Sequence, residues 1–124
     1  MTPEAEERLT KAERFLSQAM GLSSEAAPEA VIHLTYYAML HAASAVVVER
    51  LGRTPKTHGG IIGRFAQLIR ADGETARSFG RALNRAEDIR LMSDYAYDTA
   101  PDATDAAAAR DAAIPFVAYC RSLL

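Results

Sequence analysis

The sequence predicts an all-α fold: an up-and-down bundle of four to five antiparallel helices, in one domain spanning residues 1–124. Three observations carry this. No stretch shows the strict apolar–polar alternation of a half-buried strand, whereas alanine is abundant throughout. Proline, glycine and capping residues divide the chain into segments of helix length. Hydrophobic residues at 49% and charged residues at 24% give a globular balance, at a length that supports one self-sufficient core.

The first helix begins at Thr2-Pro3, with Thr2 as N-cap and Pro3 at the first helical position. It runs to about Met20, carries Leu9, Ala12, Leu16 and Ala19 on one face, and ends at Gly21 and Ser23-Ser24. A second starts near Ala27-Pro28 and continues to Leu51, where Gly52 can cap it. From Tyr36 to Val48 it is apolar on nearly every side, the mark of a central, surrounded helix. Ala38, Ala42, Ala43 and Ala45 let neighbours approach closely. Arg53 to Thr57 is a connection. The third helix covers about His58 to Ala71 and is broken by Asp72-Gly73. The fourth runs from Glu74 to about Tyr97. A loop from Thr99 to Asp102 precedes the fifth, which spans about Thr104 to Leu124 and should kink at Pro115. Short connections favour antiparallel neighbours.

Composition removes several function classes. The one cysteine, Cys120, excludes an internal disulfide and a cysteine-based zinc cluster; its ordinary reading is a small buried apolar side chain. The apolar run from Leu34 to Val48 falls short of the ~20 residues a bilayer needs. Glu4, Glu6, Glu7 and Glu13 in the first helix do not fit a signal peptide, so a cytoplasmic protein with no membrane partner is expected. The net charge of −2 conceals an asymmetry: Arg50 to Arg90 holds nine Lys or Arg against four Asp or Glu. A basic middle on an acidic protein suits a phosphate backbone or an acidic partner, or is simply a solvated helix surface.

Three places can carry chemistry. On the second helix His33, Tyr37 and His41 recur every four residues as one stripe, with Tyr36 beside them. Two histidines eight residues apart stand about 12 Å apart along the axis, too far to share a metal ion, so no metal site is expected. A packed tyrosine with a hydroxyl partner across the bundle is the plain alternative. Before the third helix, Lys56-Thr57-His58-Gly59-Gly60 offers an N-cap at Thr57 and a cation where a phosphate can sit, without the spacing of a Walker loop. On the fourth helix Arg77, Arg81 and Arg85 form a basic ridge. Arg90 lies roughly opposite, on the face of Phe79, Leu83 and Ala86, followed by Asp94 and Tyr97. A cation on an apolar stripe needs a partner, and Asp94 is the obvious one.

Tyr36-Tyr37-Ala38-Met39 with His41, the Lys56-Thr57-His58 turn, and Arg90-x3-Asp94-Tyr95 together resemble an uncharacterised prokaryotic branch of the HEPN superfamily, from about Lys11 to Leu123. The resemblance implies a bundle of four or five helices that is commonly a homodimer, often paired with a minimal nucleotidyltransferase as a toxin–antitoxin component. Ribonuclease members of that family carry an Arg-x4-6-His motif shared between two protomers around an RNA phosphate. Arg90 matches its arginine, but no histidine stands at positions 95 to 97; Tyr95 takes the five-residue offset. Tyr97 matches the offset of a tyrosine that such partners nucleotidylate. A tyrosine, with a pKa near ~10, is a poor general base at neutral pH.

The expected function is a HEPN-like module that binds RNA, a nucleotide or a nucleotidyltransferase partner, with no cofactor. Arg77, Arg81, Arg85, Lys56 and His58 are its candidate nucleic-acid contacts, and Tyr36, Tyr37 and His41 its motif residues. An active metal-independent ribonuclease using Arg90 with Asp94, Tyr95 or His58 is the alternative, and a purely structural subunit the third reading.

Overall fold

A computed structural model describes residues 1–95 and 100–124. Among them are α1 (Pro3–Met20), α2 (Pro28–Leu51), α3 (His58–Ile69), α4 (Glu74–Tyr95) and α5 (Ala103–Ser122), and no strand. A 3₁₀ turn, Arg70–Asp72, follows α3 and takes the place of the last helical residues expected there. It ends on Gly73, whose φ of 102° suits a residue without Cβ. The expected end of α4 at Tyr97 lies outside the described residues.

The helix ends follow local chemistry. Thr2 caps α1 by accepting from the Ala5 amide, and Thr57 caps α3 by accepting from Gly60. Gly52, at φ 75°, closes α2 in the left-handed conformation. Asp102, expected within a loop, is the N-cap of α5: it accepts from the Asp105 amide while the Asp105 carboxylate accepts from its own. This reciprocal cap sets the start of α5 at Ala103. α5 continues unbroken through Pro115, which faces solvent together with Asp111. Water can therefore satisfy the Asp111 carbonyl that the proline leaves without a donor.

The bundle is built around α2. It packs against α1, α3, α4 and α5, and buries fourteen of its side chains. At 24 residues α2 is, among the described residues, the one helix long and apolar enough to cross a membrane, longer than the short apolar run anticipated; 78% of its most apolar window is covered by the neighbouring helices. Its apolarity on all sides is accounted for by that packing. One continuous core joins Ala12, Met39, Val46, Phe65, Leu83 and Phe116, drawn from all five helices. Cys120 is fully buried in it, and desolvation pushes its thiol well above the usual range, which makes it unreactive.

Candidate phosphate-facing site at the junction of α2, α3 and α4

Arg90 turns inward from α4. Its side chain is only 16% exposed, its Nη1 lies 3.3 Å from Asp94 Oδ2, and its guanidinium stands 4.8 Å from the centroid of the Tyr36 ring. One turn of helix separates the ion pair, and the ring supplies a π-face in place of lost water. The expected Arg90–Asp94 pair is therefore present. Asp94 also reaches α2: its Oδ1 is 2.8 Å from His33 Nε2, an ion-pair contact whose angle falls outside the hydrogen-bond range. Arg90, Asp94 and His33 form a row from covered to exposed, with the His33 side chain 40% open to solvent. That second partner of Asp94 was not anticipated; only the packing of α4 on α2 brings it near.

Tyr95 does not join this row. It is 71% exposed and turned about 140° from Arg90 by the helical repeat. Tyr97 lies outside the described residues.

Tyr36 is the hub of the site. It is 1% exposed; its hydroxyl donates to Glu87 Oε2 at 3.3 Å and lies 3.0 Å from His58 Nδ1. Burial, reinforced by the Glu87 charge and partly offset by Arg90, pushes its phenol well above the usual range, so it stays protonated. The tyrosine whose hydroxyl finds a partner across the bundle is thus Tyr36. Tyr37 instead makes an edge contact with His58 at 5.8 Å and stacks with His41 at 6.4 Å, where Phe15 joins them. Of the expected stripe on α2, Tyr37 and His41 stay together while His33 serves Asp94.

His58 enters because the turn before α3 is tight. A Cβ on Gly60 would fall 2.7 Å from the Pro55 Cβ, so the chain closes there only with glycine. His58, taken from the sequence as a nucleic-acid contact on an exposed turn, is half-buried and directed at Tyr36 and Tyr37; Lys56 remains exposed. The Thr57 cap is exposed, with its hydroxyl engaged by the Gly60 amide at 3.0 Å.

The basic ridge is partly self-neutralised. Arg77 Nε and Arg81 Nη2 approach the two oxygens of Glu74 at 3.3 and 2.5 Å, and Arg77 also donates to the Arg70 carbonyl. Arg81 and then Arg77 hold the Glu74 carboxyl below its ordinary range. Arg85 instead rims a small apolar crevice of about 150 Å³ with Ile32, Met39, Ala86 and Ile89. The Glu74 positions three and seven residues upstream were legible in the sequence; the neutralisation follows from them.

Burial, with the Lys11, Arg8, His58 and Arg14 charges, lowers the His41 pKa from 6.5 to about 4. The unfolded chain takes up a proton near 6.5 that the folded chain refuses until about 4. The stabilisation is whole above the upper value and is lost as pH falls through that window. The urea midpoint of the wild type should therefore drop more between about pH 7.5 and about pH 5 than that of His41→Asn. Parallel pH dependences would contradict the assignment.

The HEPN domain family matches residues 5–123. A "UPF0332 protein" of Gloeobacter violaceus is 35% identical over 95 residues, covering 77% of this chain and 75% of its own. A protein of Methanocaldococcus jannaschii that bears the name "Putative toxin" is 29% identical over 87 residues, 70% of this chain and 64% of its own. With the helical bundle these matches settle the relationship: the chain belongs to the HEPN domain family.

Proposed function

We propose that this HEPN module binds single-stranded RNA by a backbone phosphate at the Arg90–Asp94–His33 row, and that it works in the cytoplasm as a toxin–antitoxin component. The observation that carries the reading is Arg90 itself, a guanidinium held by Asp94 and the Tyr36 ring at the rim of the bundle. A cation fixed before its ligand arrives loses little side-chain freedom on binding. The name of the archaeal relative supports the toxin role.

Anisotropy of a labelled RNA tests it. Arg90→Ala should weaken binding by about tenfold or more, the worth of one charge-assisted contact. Arg90→Lys should recover only part of this, because an ammonium does not lie flat on Tyr36 and reach Asp94 together. Equal affinity of wild type and Arg90→Ala removes the reading.

The His33–Asp94 contact favours a second reading, ribonuclease action. With Nε2 against Asp94, Nδ1 of His33 is left to accept the proton of a 2′-hydroxyl. That oxygen then attacks phosphorus, the bond to the 5′-oxygen breaks, the leaving oxygen takes a proton from the imidazolium, and a 2′,3′-cyclic phosphate remains; Arg90 would offset the charge gathering on phosphorus. RNA that stays intact with the wild type excludes it.

A homodimer and a minimal nucleotidyltransferase partner belong to the same proposal. Leu91, Met92 and Tyr95 lie exposed on the last turns of α4, on the side turned away from Arg90, a face suited to a second copy. Sedimentation should give a dimer at micromolar concentration that Met92→Glu splits; a wild-type monomer removes this part.

A further inference from the structure

On the other side of His58 from Arg90, an open groove of about 670 Å³ runs between α1, α2 and the 52–58 turn. Arg8, His41, Ser44, Arg53, Thr54 and Lys56 line it, with Glu4 as its acid. Glu4 is engaged: Arg8 Nη2 donates to it at 2.9 Å while Nη1 donates to the buried Ser44 hydroxyl at 2.5 Å. Arg8 Nε is buried with no partner. Arg53 and Lys56 are exposed, and neither has a carboxylate partner among the described residues. Positive charge continues past one end, to Arg64 next to Lys56; past the other, Lys11 and Arg14 stand 5.9 and 5.8 Å over the Phe15 ring with Glu6 and Glu7 beside them. Here the free cations differ from the α4 ridge, where two arginines share one carboxylate.

We propose that this groove is a second phosphate subsite, taking the backbone of the same single-stranded RNA that meets Arg90. The inference rests on the RNA-binding reading above for its ligand, but on separate residues. Three features select a strand over a compact anion. The cations are spread along an open channel instead of converging on one point. The His41 ring in its lining is backed by the Phe15 and Tyr37 rings at 5.5 and 6.4 Å, which sets a ring beside the cations, the pairing of charge and stacking surface that unpaired nucleic acid uses. And α2 joins the two places: His33 and His41 are about 12 Å apart along one helix, with His58 between, a distance an extended strand covers in a few nucleotides. His41 is neutral at physiological pH. It can therefore meet a phosphate or a base as a hydrogen-bonding group, and a bound anion would raise its affinity for a proton.

The three histidines of the chain make the test direct, because each reports one place. Their imidazole resonances are followed while a short oligouridylate is added at low salt, with inorganic phosphate as a parallel titrant. Both His33 and His41 should shift with RNA and saturate together, and phosphate at equal phosphorus concentration should leave His41 where it was. Arg53→Ala with Lys56→Ala, two exposed positions, should abolish the His41 response and lower the slope of log affinity against log salt by about 1.4, the value for two lost single-strand contacts. Arg90→Ala should abolish the His33 response and leave that of His41. A still His41 beside a moving His33 overturns the groove and keeps the Arg90 site. The reverse pattern keeps the groove and removes the Arg90 site. If neither moves, both fall. If phosphate alone reproduces the His41 shift, the groove is a free-anion site and the RNA track is overturned.

Discussion

Replacing Phe65 with alanine should destabilise the protein by about 3–5 kcal/mol, a large share of the roughly 5–15 kcal/mol that holds a domain of this size together. Phe65 is fully buried and lies 5.3 Å from the Phe116 ring, so its loss opens a cavity between α3 and α5. The effect is large because α3 has little else. A helix of 12 residues is marginal alone in water and depends on docking. Ile61, Ile62, Phe65 and Ile69 are its buried residues, and the glycines at 59, 60 and 63 weaken it further. Urea unfolding followed by circular dichroism should show a lower midpoint at unchanged slope. A loss under about 1 kcal/mol would mean that the α3–α5 contact is not packed as described. Function should suffer before global unfolding, since α3 presents His58 to Tyr36.

Tyr36→Phe should cost about 1–3 kcal/mol, through the groups it strands more than through the bond it removes. Without the hydroxyl, Glu87 Oε2 and His58 Nδ1 lose their common partner at a half-buried position. The ring stays, so the platform under Arg90 at 4.8 Å survives. RNA affinity should therefore fall much less in Tyr36→Phe than in Tyr36→Leu, which removes hydroxyl and π-face together. A double-mutant cycle with Glu87→Gln measures the coupling directly. Additive losses would show that the Tyr36–Glu87 contact contributes nothing, and equal RNA binding by the Phe and Leu variants would show that the ring does not hold Arg90.

Helix existence, helix ends and the central place of α2 were legible because their causes are local. Thr2, Thr57 and Gly52 act on amides and carbonyls within a turn of themselves, and a helix apolar all round has one stable place in a bundle. Asp102 does end the loop, but its capping role went unread although Asp105 stood three residues on, a capping pair readable in principle. The Arg90–Asp94 pair was legible for the same reason, being one turn apart on one helix. The other half of the site was not. Glu87 and His58 meet at Tyr36 across separations of 51 and 22 residues, and Asp94 finds His33 on another helix.

By itself, then, the order of residues determined which segments are helical, where the first two stop, which one is surrounded, and that a cation at 90 needs a carboxylate at 94. Hydrogen bonds one turn apart and the 3.6-residue repeat suffice for all of that. Tertiary structure alone decided which charges remain free and which titrating groups share a site. That choice depends on distances between side chains on different helices, and these are set by the close packing of α2 against its four neighbours.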